Sequence, residues 1–287
     1  ALGYVVKKLL KIDNGTIARL LIYLIVPVMV FNSAFTAPLT PGLLTLPLLF
    51  FLVSSLIAVV FYYTGKKVFK DSTANLLAMA SGTANMGYFG LPVIVAILGD
   101  KGFDVAIFCV LGPTIFENSL GFYLAARGNF GWKESIYKLL KLPTIYAFVI
   151  GILLNFYNIE PSPLYEFYIP LFKGCYIILG MMLVGAGIAA VESYLLDIKY
   201  ILLSFSAKFI AWPIIILAII LYDQHFFQLF TDFQQKAMLI LSLAPMAANN
   251  VAFATELGLH PGKAAVAVFL STMLALLYIP VIVTYIL

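Results

Sequence analysis

Charge is what this sequence has least of. Only 10% of its 287 residues are Asp, Glu, Lys or Arg, against about 25% in an ordinary globular chain. Meanwhile 63% are hydrophobic and the mean hydropathy is +1.05. So few charges cannot cover a water-exposed surface, and no stretch is polar enough for a separate soluble domain. The bilayer is therefore the solvent for most of the chain. Histidine is nearly absent: His225 and His260 stand far apart, in what read as loops, and no metal site is expected from them. The two cysteines, Cys109 and Cys175, sit in apolar runs without metal-like spacing and read as reduced packing residues. No phosphate-binding glycine loop, nucleophile elbow, HExxH or acidic cluster is present. An enzyme or a resident cofactor is thus not expected, and a nucleotide-driven pump would need a separate subunit. A net charge of +4 gives no reason to expect nucleic acid as a partner.

What is present is a series of apolar runs. At about 20 residues per span, they fall at 1–10, 17–36, 43–65, 73–99, 104–127, 143–159, 164–190, 199–222, 235–258 and 262–287. Residues 1–10 are too short for a signal peptide and read as the tail of a span completed upstream, which makes ten. Thirteen basic residues fall in alternate connections (Lys7, Lys8, Lys11 and Arg19 in the first of these), against Lys101, Lys173 and Lys236 in the others. The positive-inside bias puts the richer set in the cytoplasm and both termini outside. The longest charged connection, 127–142, holds Trp132 and the segment ESIYKLLK, and reads as an interfacial helix joining two halves.

One span is chemically wrong for a helix. Residues 76–99 read LLAMASGTANMGYFGLPVIVAILG, with Thr83, Asn85, Gly82, Gly87, Gly90 and Pro92 in the middle. Glycine costs roughly 1 kcal/mol and proline about 3 in a helix interior, so the helix is expected to enter, break and resume. Broken backbone at membrane depth survives only where protein or a wet cavity satisfies it, which makes this stretch a candidate site. A second such stretch, SLAPMAANNVAFATELG at 242–258, carries Pro245, Asn249 and Asn250. The segment LGDKGFDVAIFCVLG (98–112) can be laid over LGLHPGKAAVAVFLS (257–271), pairing span four with span nine. Five spans per half reverse orientation, so the halves form inverted repeats, as in secondary transporters. The resumed half-helices present free N–H groups to an anion. Asn85, Asn249, Asn250, Thr83 and Tyr88 are the candidate substrate contacts, and Tyr88 and Phe89 read either as cavity lining or as ordinary packing. Glu117, near the centre of span five, is costly there and is expected to face inward. Lys208 is read either as balancing an anion or as snorkelling toward the cytoplasmic interface, the latter favoured. Glu117, Lys208 and Glu256 are the candidates for proton or sodium coupling.

The ordered segments ALGYVVKKLL, IYLIVPVMVF, TANMGYFGLP, AKFIAWP, LAPMAANNVAFATELG and GKAAVAVFLSTMLALLYIP span nearly the whole chain. In them the chain resembles the auxin efflux carrier family, within the bile, arsenite and riboflavin transporter superfamily. The resemblance implies an all-α membrane protein of ten helices, with inverted five-helix repeats at 1–127 and 143–287 joined by a cytoplasmic linker at 128–142. It implies a scaffold of helices 1, 2, 6 and 7 that often dimerises, and a mobile transport unit of helices 3–5 and 8–10. The crossing would lie at Gly87, Gly90, Pro92 and Pro245, with substrate beside the asparagines. The expected function is alternating-access transport of a small organic anion, a carboxylate, across a bacterial cytoplasmic membrane. A sodium-coupled carrier of the bile-acid symporter type, or a ligand sensor that moves nothing, is the alternative.

Overall fold

The structure, a computed structural model, describes residues 2–126, 133, 137, 140–189 and 196–286. The interfacial helix expected at 128–142 lies largely outside them, as does the side chain of Glu256. Among the described residues every regular element is helical. The main ones, in order, are α1 (Leu2–Leu10), α2 (Gly15–Thr36), α3 (Pro41–Val68), α4 (Thr73–Gly82), α5 (Leu91–Phe116), extended by a wide turn at Glu117–Gly121 and a helical turn at Phe122–Ala125, α6 (Pro143–Phe156), α7 (Pro163–Ala189), α8 (Ile198–Phe226), α9 (Asp232–Ser242), α10 (Asn249–Glu256) and α11 (Pro261–Ile286). The four helices α2, α3, α8 and α11 are long and apolar enough to cross a membrane, and α6 is a shorter apolar helix. His225 lies in the last turn of α8, not in a loop.

Local chemistry sets the helix ends. Asp13 caps α2 by accepting from the Gly15 and Thr16 N–H groups, and those bonds, led by one from the Thr16 hydroxyl, hold its carboxyl below the usual range. Asp197 caps α8 through the Tyr200 N–H, and Thr231 and Gln234 form a reciprocal capping box on α9. Prolines 41, 143, 163 and 261 open helices, where a missing N–H costs nothing.

Inside the long helices proline leaves a different mark. Wide, π-type turns at Leu21–Ile25, Met86–Gly90 and Ala207–Ala211 each end two residues before a proline, namely Pro27, Pro92 and Pro213. A proline gives no N–H to the carbonyl four residues back and crowds it, and the wider turn moves that carbonyl aside. Gly99 interrupts α5 at φ +69°, ψ −162°, a region open to glycine alone, so α5 is two helices meeting at a sharp turn. The second glycine of positive φ among the described residues is Gly258, at φ +63°.

The core is built from α2, α3, α5, α8 and α9, with Met86, Phe50, Phe108, Trp212 and Leu241 all buried in one cluster. The outside is apolar as well. On α3, Leu48, Leu52, Leu56 and Val60 recur every four residues on an exposed stripe, which is a face for lipid and not for water. Polar bonding concentrates where α4, α8 and α11 begin. There the Lys263 ammonium lies 2.8 Å from both the Asp197 carboxylate and the Thr73 hydroxyl, and His260 is 3.2 Å from Asp71. Partial burial works against the ionised Asp197, but the bonds from Lys263 and the Tyr200 N–H outweigh it and hold its carboxyl below the ordinary range.

Candidate functional site

The first break is short. Helix α4 stops at Gly82, residues 83–85 are non-helical, and the chain resumes in the wide turn Met86–Gly90. Gly82 is needed because a Cβ there would come within 2.5 Å of the Phe116 ring and 2.8 Å of the Ser54 carbonyl. The second break is longer, residues 243–248 between α9 and α10. Each break strands backbone groups that water cannot reach, and side chains from two flanking helices satisfy several of them. The Trp212 indole N–H donates to Ser81 O at 2.8 Å, and the Ser271 hydroxyl accepts from Met246 N–H at 3.2 Å. The Tyr278 hydroxyl donates to Leu243 O.

The two breaks also satisfy one another. Asn85 N–H donates to Pro245 O at 2.8 Å, so the breaks lie backbone to backbone. Beside that bond, the Thr83 hydroxyl lies 2.9 Å from both Asn250 Oδ1 and Met79 O. Thr83 and Asn250 are buried, at 1% and 0% exposure; the Thr83 hydroxyl and Asn250 Oδ1 meet at this junction, while Asn250 Nδ2 has no hydrogen-bond partner among the described residues. Pro92 is not part of it. The non-helical residues precede Met86, and Pro92 lies within helix beyond the wide turn it causes, while Gly90 packs against Leu241.

A cavity of about 270 Å³ opens beside the junction, and both resumed helices begin at its wall, at Met86 and at Asn249. Asn85, Gly87 and Tyr88 line it from one break, Ala247, Ala248 and Asn249 from the other. Glu117 and Asn118 enter from the extension of α5, and Glu117 Oε1 accepts from Asn249 Nδ2 at 2.8 Å. Asn85 is 4% exposed, and its Nδ2 has no hydrogen-bond partner among the described residues. The remaining wall includes Ala18, Ile22 and Val26 of α2, Thr144 of α6 and Tyr176 of α7. Among the described lining residues there is one acid and no Lys, Arg or His.

Of the residues singled out in the sequence, Asn85, Asn249, Tyr88, Gly87 and Glu117 therefore share one cavity, whereas Thr83, Asn250 and Pro245 hold the junction behind it. Phe89 is packing, buried against Leu243, Ala275 and Ile279. Lys208 corrects an expectation: it does not snorkel to an interface. It is fully buried, its ammonium 4.3 Å above the centre of the Trp212 ring, and it does not line the cavity. Lys208 and Trp212 are four apart on one face, and the face decides where the side chain goes. Cys109 is buried, but Cys175 is exposed on α7 and is no packing residue. Sequence reasoning missed Tyr176, one of seventeen tyrosines, the contribution of α2, which carries only ordinary apolar residues there, and Thr144 at the start of α6.

No family model matches the chain. It is similar to an uncharacterized transporter of Methanocaldococcus jannaschii, 33% identical over 132 residues, covering 45% of this chain and 41% of that protein. An uncharacterized transporter of Methanothermobacter thermautotrophicus is 27% identical over 164 residues, covering 55% of this chain and 54% of that protein. The chain spans about half the length of the curated relatives it matches. The apolar helices make the chain an integral membrane protein, and about half of it is similar to proteins named as transporters.

Proposed function

We propose that the chain is a secondary transporter of the auxin efflux carrier type that moves a small organic anion by alternating access. The observation that carries this reading is the bond from Asn85 N–H to Pro245 O, with a cavity at the start of both resumed helices. Half-helices meeting at mid-membrane beside a cavity are how such carriers bind substrate without dedicated cations, the N-terminal ends supplying partial positive charge. The ten-helix, inverted-repeat architecture draws support from the two positive-φ glycines. Gly99 and Gly258 are equivalent positions when 98–112 is laid over 257–271, and Asn85 and Asn249 each stand where a helix resumes.

In this reading helices 1, 2, 6 and 7 form a dimerising scaffold and the broken helices belong to the moving unit. The cavity wall supplied by the early part of α2 and by Thr144 at the start of α6 lies toward the side that the basic connections assign to the cytoplasm. The cavity then faces inward, in a cytoplasmic membrane with both termini outside. Away from it, Lys173 of α7 pairs with Asp100 and Ser33 of α2 bonds Asp104 at 2.9 Å, joining scaffold to moving unit on the outer side. Sodium coupling finds less support: Asn250 lies at the junction with Thr83 and does not line the cavity that holds Glu117.

A thermal-shift series of monocarboxylates, dicarboxylates and indole acids, with and without sodium, tests the binding half of the proposal. Counterflow of a stabilising acid into proteoliposomes tests the transport half. Stabilisation by a carboxylate without sodium, followed by counterflow, is expected. Stabilisation without counterflow favours a sensor, and stabilisation only with sodium favours the symporter.

A further inference from the structure

The cavity contains a carboxyl group of its own. Glu117 stands in the wall with one hydrogen-bond donor, Asn249 Nδ2 at 2.8 Å, and no cationic side chain lines the cavity among the described residues. The other titratable groups facing it are the hydroxyls of Tyr88 and Tyr176, whose rings lie 6.2 Å apart. The elements closing the cavity contribute Ala18, Ile22 and Val26 from α2, Leu142 just before α6 and Thr144 within it, and Ala252 and Phe253 from α10, none of them ionisable. Arg19, next to Ala18, is turned outward toward Asp13 at 3.8 Å, and Lys208 is stacked on Trp212 elsewhere.

Positive potential here comes from two helix ends, at Met86 and Asn249, together with the unpartnered Nδ2 of Asn85, a side chain 4% exposed in the cavity wall. That set can neutralise about one carboxylate. A second in the same small site repels the first, and of two carboxylates sharing a site one keeps its proton. We propose that Glu117 and the substrate carboxylate are alternative charges at this site, so the anion binds only with a proton on Glu117, and the chain moves a small monocarboxylate together with one proton. The inference rests on the carboxylate reading above. The proton comes from water on the side to which the cavity opens, joins a Glu117 carboxylate oxygen as the anion enters, and leaves to water with it. A dicarboxylate would bring a negative charge with no partner, and the apolar wall of Ile22, Val26 and Phe253 suits a substrate with one charged end.

Calorimetric titration of the purified full chain with benzoate, propionate and malonate, at acid and alkaline pH and in two buffers of different ionisation enthalpy, tests this. Wild type should bind benzoate or propionate in preference to malonate, lose about tenfold in affinity per pH unit on the alkaline side, and take up one proton per anion, read as a buffer-dependent heat. Glu117→Gln keeps an acceptor for Asn249 and mimics the protonated acid. It should bind with the affinity wild type shows at acid pH, independent of pH, and with no proton uptake. Equal wild-type affinity at both pH values with no buffer-dependent heat overturns the inference and leaves the carboxylate reading standing. Proton uptake persisting in Glu117→Gln, or preference for malonate, overturns it as well. Binding of none of the three acids by wild type overturns the carboxylate reading and this inference with it. If Glu117→Gln does not fold, as judged by its melting curve, the wild-type heats decide alone.

Discussion

The two helix breaks solve the same geometric problem with different chemistry. The first is three residues long and ends in a wide turn forced by Pro92; the second is six residues long and has its proline, Pro245, inside the break. Both place an asparagine where helix resumes, yet Asn85 leaves its amide without a protein partner while Asn249 spends its own on Glu117. Asn250, one residue on, turns its amide oxygen to the Thr83 hydroxyl at the junction. Adjacent asparagines thus have different employments, one at the cavity and one behind it. A buried amide N–H with no protein partner is the costly arrangement; among the described residues Asn250 Nδ2 shares it behind the junction, and Asn85 is the one of the two that lines the cavity.

That contrast can be broken in several places. The largest effect is expected at the close approach before the first break, where Gly82→Val drives a side chain into the Phe116 ring and the Ser54 carbonyl. Overpacking of this kind costs about 3 kcal/mol or more when backbone cannot yield, and the folded, monodisperse peak in size-exclusion chromatography should be lost. Asn85→Ala comes next. If this amide serves a charged substrate, its removal costs about 1.5–3 kcal/mol of binding, roughly ten- to a hundredfold in Kd, with the melting temperature unchanged; a melting temperature that falls while Kd holds would make Asn85 structural. Asn250→Ala should show the opposite pattern, losing about 1 kcal/mol of stability while binding survives, because Thr83 keeps Met79 O as an acceptor. The smallest effect belongs to Lys208→Met. The stack on Trp212 contributes about 0.5–2 kcal/mol, which relief from burying an unpaired ammonium offsets, so transport and melting temperature should stay close to wild type. A Lys208→Met chain that folds but no longer transports would tie Lys208 to the moving parts.

Much of this was legible in the residues themselves. Gly82, Asn85, Pro245 and the Asn249–Asn250 pair are wrong for a continuous apolar helix, and intrinsic helix cost alone says that both helices are interrupted. The position of the first break was less legible. Pro92 carries the largest helix penalty in the stretch, but a wide turn absorbs it, and the chain opens earlier at residues 83–85. Glu117 was visible as an expensive residue, whereas its bond to Asn249 depends on two segments 132 positions apart. Lys208 misled because depth along a helix says nothing about the face on which a side chain leaves. Tyr176 and the α2 wall were not legible at all, since an apolar residue that lines a cavity and one that faces lipid follow the same pattern.

The central claim is that substrate passes through the cavity at the meeting of the two breaks. Counterflow of labelled benzoate in proteoliposomes carrying wild type or Asn85→Ala, at equal amounts of folded protein, tests it most directly. Accumulation by wild type and its loss in Asn85→Ala is the predicted result. Equal accumulation by both would contradict the claim and move the path elsewhere.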